Sequence, residues 1–148
     1  MRIVAASDHA GLALKAQLVE ALRARGHEIT DLGTHDGKSV DYPDYAALLG
    51  QKVAGGEAAW GLLVCGTGVG MSIAANKVPG VRAAVVSEPF SARMARQHND
   101  ANVLCLGERV VGGGLALEIL HAWLESTFEG GRHQRRVDKI GALEPNRD

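Results

Sequence analysis

A cysteine followed by a glycine-rich turn is the feature of this sequence with the clearest chemical potential. Cys65 follows the apolar run 60–64, and the residues after it are Gly66-Thr67-Gly68-Val69-Gly70. Glycine has no Cβ, so the backbone of such a turn can approach a ligand closely. Amide groups at the start of a following helix would point at bound negative charge and would favour a thiolate at Cys65. The segment therefore predicts an anion-binding loop beside a base or nucleophile.

Two side chains of this segment also have a plain structural interpretation. Free cysteine is among the most buried residue types, so Cys65 could simply fill the end of a strand. Thr67 offers a hydroxyl that donates and accepts, but it could equally be an ordinary helix cap. The neighbouring glycine turn favours a functional role for Cys65 over a purely structural one. Since it lacks both the Gly-Lys-Ser/Thr sequence of a phosphate loop and the dinucleotide-binding spacing, it identifies no particular ligand.

Regular alternation of strand and helix signals predicts the elements that position these residues. Short aliphatic runs predict strands at residues 2–6, 28–32, 62–65, 81–86 and 102–106. Helices are expected after each of the five runs, and a basic segment with helical spacing follows Gly130-Gly131. This alternation predicts one α/β domain: a three-layer, Rossmann-like fold with a five-stranded parallel sheet and helices on both faces.

Polar residues directly follow four of the predicted strands. Ligands of parallel sheets bind at the carboxyl ends of the strands, so these residues are expected to converge on one edge. They are Asp8-His9, Cys65-Gly66-Thr67, Ser87-Glu88 and Gly107-Glu108-Arg109.

His98 and Asp8 are further candidates for proton transfer. His98 ends a predicted helix, where the C-terminal dipole favours the imidazolium form of a proton donor, although it could also be a surface cap. Asp8 could supply a carboxylate to the site or could only cap the amides near Gly11. The spacing of the histidines matches no metal-binding motif, so no metal site is expected.

The segment after Gly131 carries a pair of cations. Arg132 and Arg136 are four residues apart, so a helix would place them on one face. The guanidinium fork suits a phosphate group, whereas the commoner fate of such a charged run is a solvated surface. Because residues 130–148 follow the last predicted core helix, we expect this segment to pack on a partner subunit.

The composition excludes several classes of protein. A chain of 148 residues suits a single domain, and 16 Lys and Arg against 17 Asp and Glu argue against a nucleic-acid partner. No stretch is long and apolar enough for a membrane span, and the first residues predict a strand rather than a signal peptide. We therefore expect a cytoplasmic protein without a membrane partner. Its two cysteines would be free, with Cys105 in the core.

Taken together, the motifs of this chain resemble the ribose-5-phosphate isomerase B family, which also contains allose- and galactose-6-phosphate isomerases. They occur in order over nearly the whole chain. The matching segments are Ser7-Asp8-His9-Ala10-Gly11, Asp41-Tyr42-Pro43, Cys65-Gly66-Thr67-Gly68-Val69-Gly70, Ala74-Ala75-Asn76-Lys77, Arg96-Gln97-His98-Asn99, Arg109-Val110-Val111-Gly112 and Glu129-Gly130-Gly131-Arg132-His133.

The resemblance implies a metal-free and cofactor-free aldose–ketose isomerisation through a cis-enediolate. Cys65 would remove the C2 proton and return it at C1, and Thr67 would help to move the hydroxyl proton between O1 and O2. One branch of the family has a glutamate base in the loop, but that position is Met71 here. His98, assisted by Asp8, would open the furanose ring.

The resemblance also implies a set of binding residues and an assembly. Loop amides would stabilise the enediolate oxygen. The residues implied for binding are Gly66, Gly68 and Gly70 at the enediolate, Tyr42 and Asn99 at the sugar, and Arg132, Arg136, His9 and Arg109 at the phosphate. In the family, His98, Asn99 and the two tail arginines come from the dimer partner. A homodimer, or a dimer of dimers, with shared active sites is therefore expected.

The leading expectation is interconversion of D-ribose 5-phosphate and D-ribulose 5-phosphate, a reaction of the pentose phosphate pathway. The alternative within the same chemistry is an isomerase of a six-carbon aldose phosphate such as allose 6-phosphate. A non-catalytic nucleotide-binding α/β protein would explain the loop but would leave Cys65, His98 and the arginine pair without a role. Such a protein would gain thermal stability from ATP and not from a sugar phosphate.

Overall fold

Strands and helices alternate throughout residues 1–145, the part of the chain that the computed structural model describes. Five parallel strands form one sheet in the order β2-β1-β3-β5-β4. The strands are β1 (Arg2–Ser7), β2 (Glu28–Asp31), β3 (Trp60–Cys65), β4 (Ala83–Val85) and β5 (Val103–Gly107). The predicted α/β fold with a five-stranded parallel sheet is therefore confirmed.

Six helices accompany the sheet. They are α1 (Leu12–Ala24), α2 (Tyr42–Ala54), α3 (Val69–Ala75), α4 (Pro89–Asn99), α5 (Gly113–Leu124) and α6 (Arg132–Gly141). Helix α6 is the predicted basic segment; positions 146–148 of the predicted tail lie outside the described residues. No helix among residues 1–145 has the length and apolar character that a bilayer crossing requires.

The helices cover both faces of the sheet, as predicted. Core residues of α1, α4 and α5 form one apolar cluster with one face, and those of α2 and α3 form a second cluster with the other. All six residues of β3 are buried, and their side chains alternate between these clusters. Val64 joins the first cluster and Cys65 the second, so the Cys65 side chain lies on the face that α3 covers.

A buried ion pair anchors the loop after β2 to helix α1. Lys15 is only 1% exposed, and its Nζ donates to Asp31 Oδ1 at 2.8 Å and to the Thr34 carbonyl at 2.6 Å. Ser7 at the end of β1 pairs with the same loop, donating to the Gly33 carbonyl and accepting from the Thr34 amide. The ion pair thereby fixes the carboxyl end of β1, from which Asp8 and His9 follow.

Removing Asp31, whose side chain is 23% exposed, leaves the buried charge of Lys15 uncompensated. We expect Asp31→Ala to lower the free energy of unfolding by about 3 kcal/mol. Glu57→Ala, which breaks the exposed Lys52–Glu57 pair, is the matched control and should cost less than about 0.5 kcal/mol. Urea unfolding of both variants at one protein concentration measures the difference. Equal small losses would show that the Lys15 pair anchors nothing.

Candidate active site

Cys65 is the last residue of β3, and its thiol is met by an amide of the glycine turn. The Gly68 N–H donates to Cys65 Sγ at 3.1 Å. An N–H directed at sulfur stabilises negative charge there, which a base needs. Helix α3 has only seven residues, so this local amide contributes more directly than the helix dipole considered from the sequence. Thr67 is exposed, and its Oγ1 accepts from the Val69 amide at 3.3 Å.

Two glycines make the shape of this loop possible. Gly68 has φ +79°, and a Cβ there would lie 2.9 Å from the Leu106 carbonyl carbon. At Gly70 a Cβ would lie 2.6 Å from the Tyr42 ring. The loop therefore packs against both β5 and the start of α2, and Tyr42 lies directly beside it.

The glycine loop forms one wall of a cleft at the carboxyl edge of the sheet. Its volume is about 470 Å³, within the usual size of small-molecule sites. Residues following β1, β3 and β5 meet there, as the strand-end argument predicts. The lining residues are Asp8, His9, Ala10, Tyr42, Cys65, Gly66, Thr67, Val69, Gly70, Ile73 and Arg109. A second groove of about 520 Å³, lined by Leu32, Val40, Asp41, Asp44, Tyr45 and Leu48, has no thiol, imidazole or cation in its lining.

Asp8, His9 and Arg109 surround the thiol with charged or ionisable groups. Asp8 is buried, and its Oδ1 accepts from the amides of Ala10 and Gly11 at 2.9 and 3.1 Å. This is the capping role considered from the sequence, and it leaves the second carboxylate oxygen available. His9 Nδ1 accepts from the Val40 amide at 3.2 Å, which puts the proton of a neutral His9 on Nε2.

Glutamates after β4 and β5 are structural rather than part of the cleft. Glu88 accepts from the Ser91 amide at 2.9 and 3.0 Å and caps α4, and this hydrogen bonding lowers the pKa of its carboxyl group. Glu108 Oε1 accepts from the Leu14 amide at 2.6 Å and so caps α1. The backbone of the β5 loop also pairs with the glycine loop, since the amides of Glu108 and Arg109 donate to the carbonyls of Cys65 and Gly66.

Four of the predicted site residues lie elsewhere in the chain. His98 and Asn99 end α4, and Arg132 and Arg136 are exposed residues of α6. None of them lines the cleft at Cys65.

Their location follows from the direction of α4, which returns from the carboxyl edge of the sheet to the amino edge. Arg96 is two residues before His98. Its guanidinium lies 5.7 Å from the ring centroid of Trp60, the first residue of β3, whereas Cys65 is the last. Helices α4 and α6 are in contact, so Arg132 and Arg136 belong to the same end of the molecule as His98. One chain thus divides the predicted site between opposite edges of its sheet.

At the amino edge, His98 is stacked on His133, which the sequence analysis names in a matching segment but gives no role. The rings of His98 and His133 are 4.1 Å apart and 8° from parallel. Glu129 Oε2 lies 3.4 Å from His133 Nε2 and 4.0 Å from His98 Nε2. Burial, followed by the charges of His98 and Arg132, lowers the pKa of His133. Glu129 precedes α6 and is separated from it by Gly130-Gly131, so its i,i+4 spacing to His133 is not that of a helical pair and gave no sequence signal for this contact.

Oxygen and nitrogen atoms of these three residues lie within 4.8 Å of one another, which is close enough for a metal site. A bound ion would have to lie near the plane of each imidazole ring. The two ring planes are almost parallel and do not converge on a point. The stacked rings therefore do not offer two in-plane nitrogen ligands to one ion.

Comparison with known proteins gives the family of this chain. Residues 3–140 match the Ribose/Galactose Isomerase family. Ribose-5-phosphate isomerase B of Escherichia coli is 53% identical over 147 residues, covering 99% of each chain. The structure of ribose-5-phosphate isomerase B from Clostridium thermocellum has a TM-score of 0.96 at 54% identity, covering 97% of each chain.

A third relative was solved with a sugar phosphate. It is ribose-5-phosphate isomerase B from Mycoplasma genitalium with bound ribulose-5-phosphate, which has a TM-score of 0.92 at 47% identity and covers 95% of this chain and 94% of its own. The match extends over the entire sheet and all six helices rather than over one motif. On this combination of fold, sequence and site, the chain belongs to the ribose/galactose isomerase family.

Proposed function

We propose that this protein interconverts D-ribose 5-phosphate and D-ribulose 5-phosphate in the pentose phosphate pathway of the cytoplasm. The observation that carries the proposal is the Cys65 thiol at the cleft wall, accepting an N–H from the glycine loop. Relatives about half identical to this chain are named for ribose 5-phosphate isomerisation, and one holds ribulose 5-phosphate. Both cysteines are unpaired, in keeping with a reducing compartment.

Proton transfer at two neighbouring carbons accounts for the reaction. Cys65, as thiolate, removes the C2 proton of the open-chain aldose, and the carbonyl electrons move onto O1 to give an enediolate. The thiol returns the proton to C1, and Thr67 moves a hydroxyl proton between O1 and O2. N–H groups of the loop residues Gly66, Gly68 and Gly70 stabilise the oxyanion, the largest contribution expected in such a reaction.

Cys105 does not compete with Cys65 for this role. It is fully buried in β5, and desolvation followed by the charge of Cys65 raises the pKa of its thiol. A thiol that remains protonated cannot act as a base at neutral pH. Only Cys65 combines a charge-stabilising amide with access to the cleft.

We further propose that two chains complete each site. Cys65, His9 and Arg109 of one chain would meet His98, Asn99, Arg132 and Arg136 of a second. Support comes from the opposite positions of these groups in one chain. The carboxyl edge also exposes large apolar side chains, as a surface covered by another chain does. They are Val69, Ile73, Val85, Phe90 and Val110.

The direct test is turnover of ribose 5-phosphate by the purified protein in EDTA, beside allose 6-phosphate. We expect ribulose 5-phosphate to form, and Cys65→Ala to lower the rate by about 10³-fold or more because the base is missing. The same variant should no longer exchange the C1 proton of ribulose 5-phosphate with D₂O, yet should still bind the sugar phosphate. Cys105→Ala is the matched control and should keep turnover. Full activity in Cys65→Ala would require another base.

His98→Asn separates ring opening from isomerisation. Ribose 5-phosphate closes its ring through O4, whereas the phosphate on O5 keeps ribulose 5-phosphate open. We therefore expect net turnover of ribose 5-phosphate to fall by about 10²-fold. Exchange of the C1 proton of ribulose 5-phosphate should persist, since it needs only Cys65 and the loop. Equal losses in turnover and exchange would rule out the ring-opening role.

A shared site predicts complementation between two inactive variants. A dimer of one Cys65→Ala chain and one His98→Asn chain would have one site with both intact residues and one with neither. Random mixing by co-refolding should restore about a quarter of the wild-type rate. Each variant refolded alone is the control. If mixing restores nothing although mixed dimers form, each site is built from a single chain.

A further inference from the structure

Glu129, His133 and His98 form a cluster that the isomerisation steps above do not use in full. We call these three residues the amino-edge cluster. His98 is partly exposed at the end of α4, His133 is 6% exposed in the first turn of α6, and Glu129 precedes that helix. The cluster therefore joins the end of α4 to the beginning of α6.

The cluster is held from both sides by contacts of the backbone and the core. The Glu129 amide donates to the Gln97 carbonyl at 3.0 Å, which ties the segment before α6 to the last turn of α4. His133 and Val137 are the two buried residues of α6, and they anchor the helix through one face. The His133 ring is thus fixed by the fold, and the His98 ring lies flat upon it.

An acid–base histidine needs a defined ring plane and a defined proton position. Stacking on the buried His133 ring defines the plane. Glu129 Oε2 lies 4.0 Å from His98 Nε2 and 3.4 Å from His133 Nε2, which are ion-pair distances, so its negative charge favours a proton on the Nε2 nitrogen of His98. His133 is kept neutral by its surroundings: burial, His98, Arg132 and Arg136 all act against its charge, and only Glu129 favours it. A neutral ring does not repel a charged His98.

We propose that Glu129 and His133 are positioning residues for His98: the His133 ring sets the plane of the His98 ring, and the Glu129 carboxylate sets its proton. This inference rests on the ring-opening role of His98 in the proposed function. The contact between His133 and His98 also has a consequence for the arginines of α6. Because His133 anchors the helix that carries Arg132 and Arg136, the same contact fixes the proposed phosphate-binding arginines relative to the ring-opening histidine.

Three variants test the two parts of the proposal in the full-length protein. Glu129→Gln keeps the size of the side chain but removes the charge. His133→Ala removes the stacked ring, and His133→Phe restores a flat ring without a nitrogen. Gln134→Ala is the matched control on an exposed position of α6, where the Gln134 side chain donates to Asp138 of the same helix. Thermal unfolding of each variant checks that the fold is kept.

Two readouts distinguish positioning from general damage. In Glu129→Gln and His133→Ala we expect turnover of ribose 5-phosphate to fall about tenfold, because the ring-opening histidine is misplaced. C1-proton exchange, measured at saturating ribulose 5-phosphate so that weaker phosphate binding does not lower it, should be retained. His133→Phe should recover most of the turnover that His133→Ala loses. ¹⁵N NMR of the His98 ring should show one protonated nitrogen in the wild type and a tautomer mixture in Glu129→Gln. Gln134→Ala should match the wild type.

The proposal would be overturned if turnover and exchange fell together in Glu129→Gln and His133→Ala, or if neither changed. So would a His98 tautomer that does not respond to Glu129→Gln. If the wild type shows neither turnover nor exchange, the proposed function fails. The NMR measurement then decides alone whether Glu129 sets the His98 proton.

Discussion

Every parallel strand of this sheet returns through a helix, and this constraint determines where chemistry can occur. A strand ends at one edge, and the helix after it ends at the other, so Cys65 and His98 are separated by the length of a strand. A five-residue strand spans about 17 Å, far beyond a hydrogen bond. The fold can therefore place a base and its oxyanion loop at one edge, but it cannot bring the end of α4 to them within the same chain.

The loop at the carboxyl edge is held by its neighbours rather than by its own hydrogen bonds alone. β3 is buried along its whole length, so Cys65 has a fixed position before the turn begins. Gly68 and Gly70 then let the backbone pass against β5 and Tyr42 at distances that a Cβ would forbid. The amide that reaches the sulfur is thus directed by packing, and such preorganised donors need no rearrangement when negative charge develops.

Much of this arrangement was predictable because it depends on local patterns. Aliphatic runs, helix periodicity and glycine turns predicted the parallel sheet, and the strand-end rule placed Asp8, Cys65 and Arg109 together. Glu88 follows β4 at the same edge, but its carboxylate caps its own helix instead of lining the cleft, a contact that the strand-end rule does not predict. The order of the strands depends on contacts between distant residues. The contact of His98 with His133 was missed for the same reason: the path of the chain after α5 decides it, and no local pattern encodes that path.

Separating the site between two edges also separates two electrostatic tasks. At the carboxyl edge, the Gly68 amide donates to the sulfur of Cys65. At the amino edge, the Glu129 carboxylate lies beside the stacked rings of His98 and His133. Within one chain neither environment disturbs the other, because the packed sheet lies between them. Within one chain the sheet thus separates Cys65 and its loop from the stacked rings of His98 and His133, and the proposed site would bring these groups together only where two chains meet.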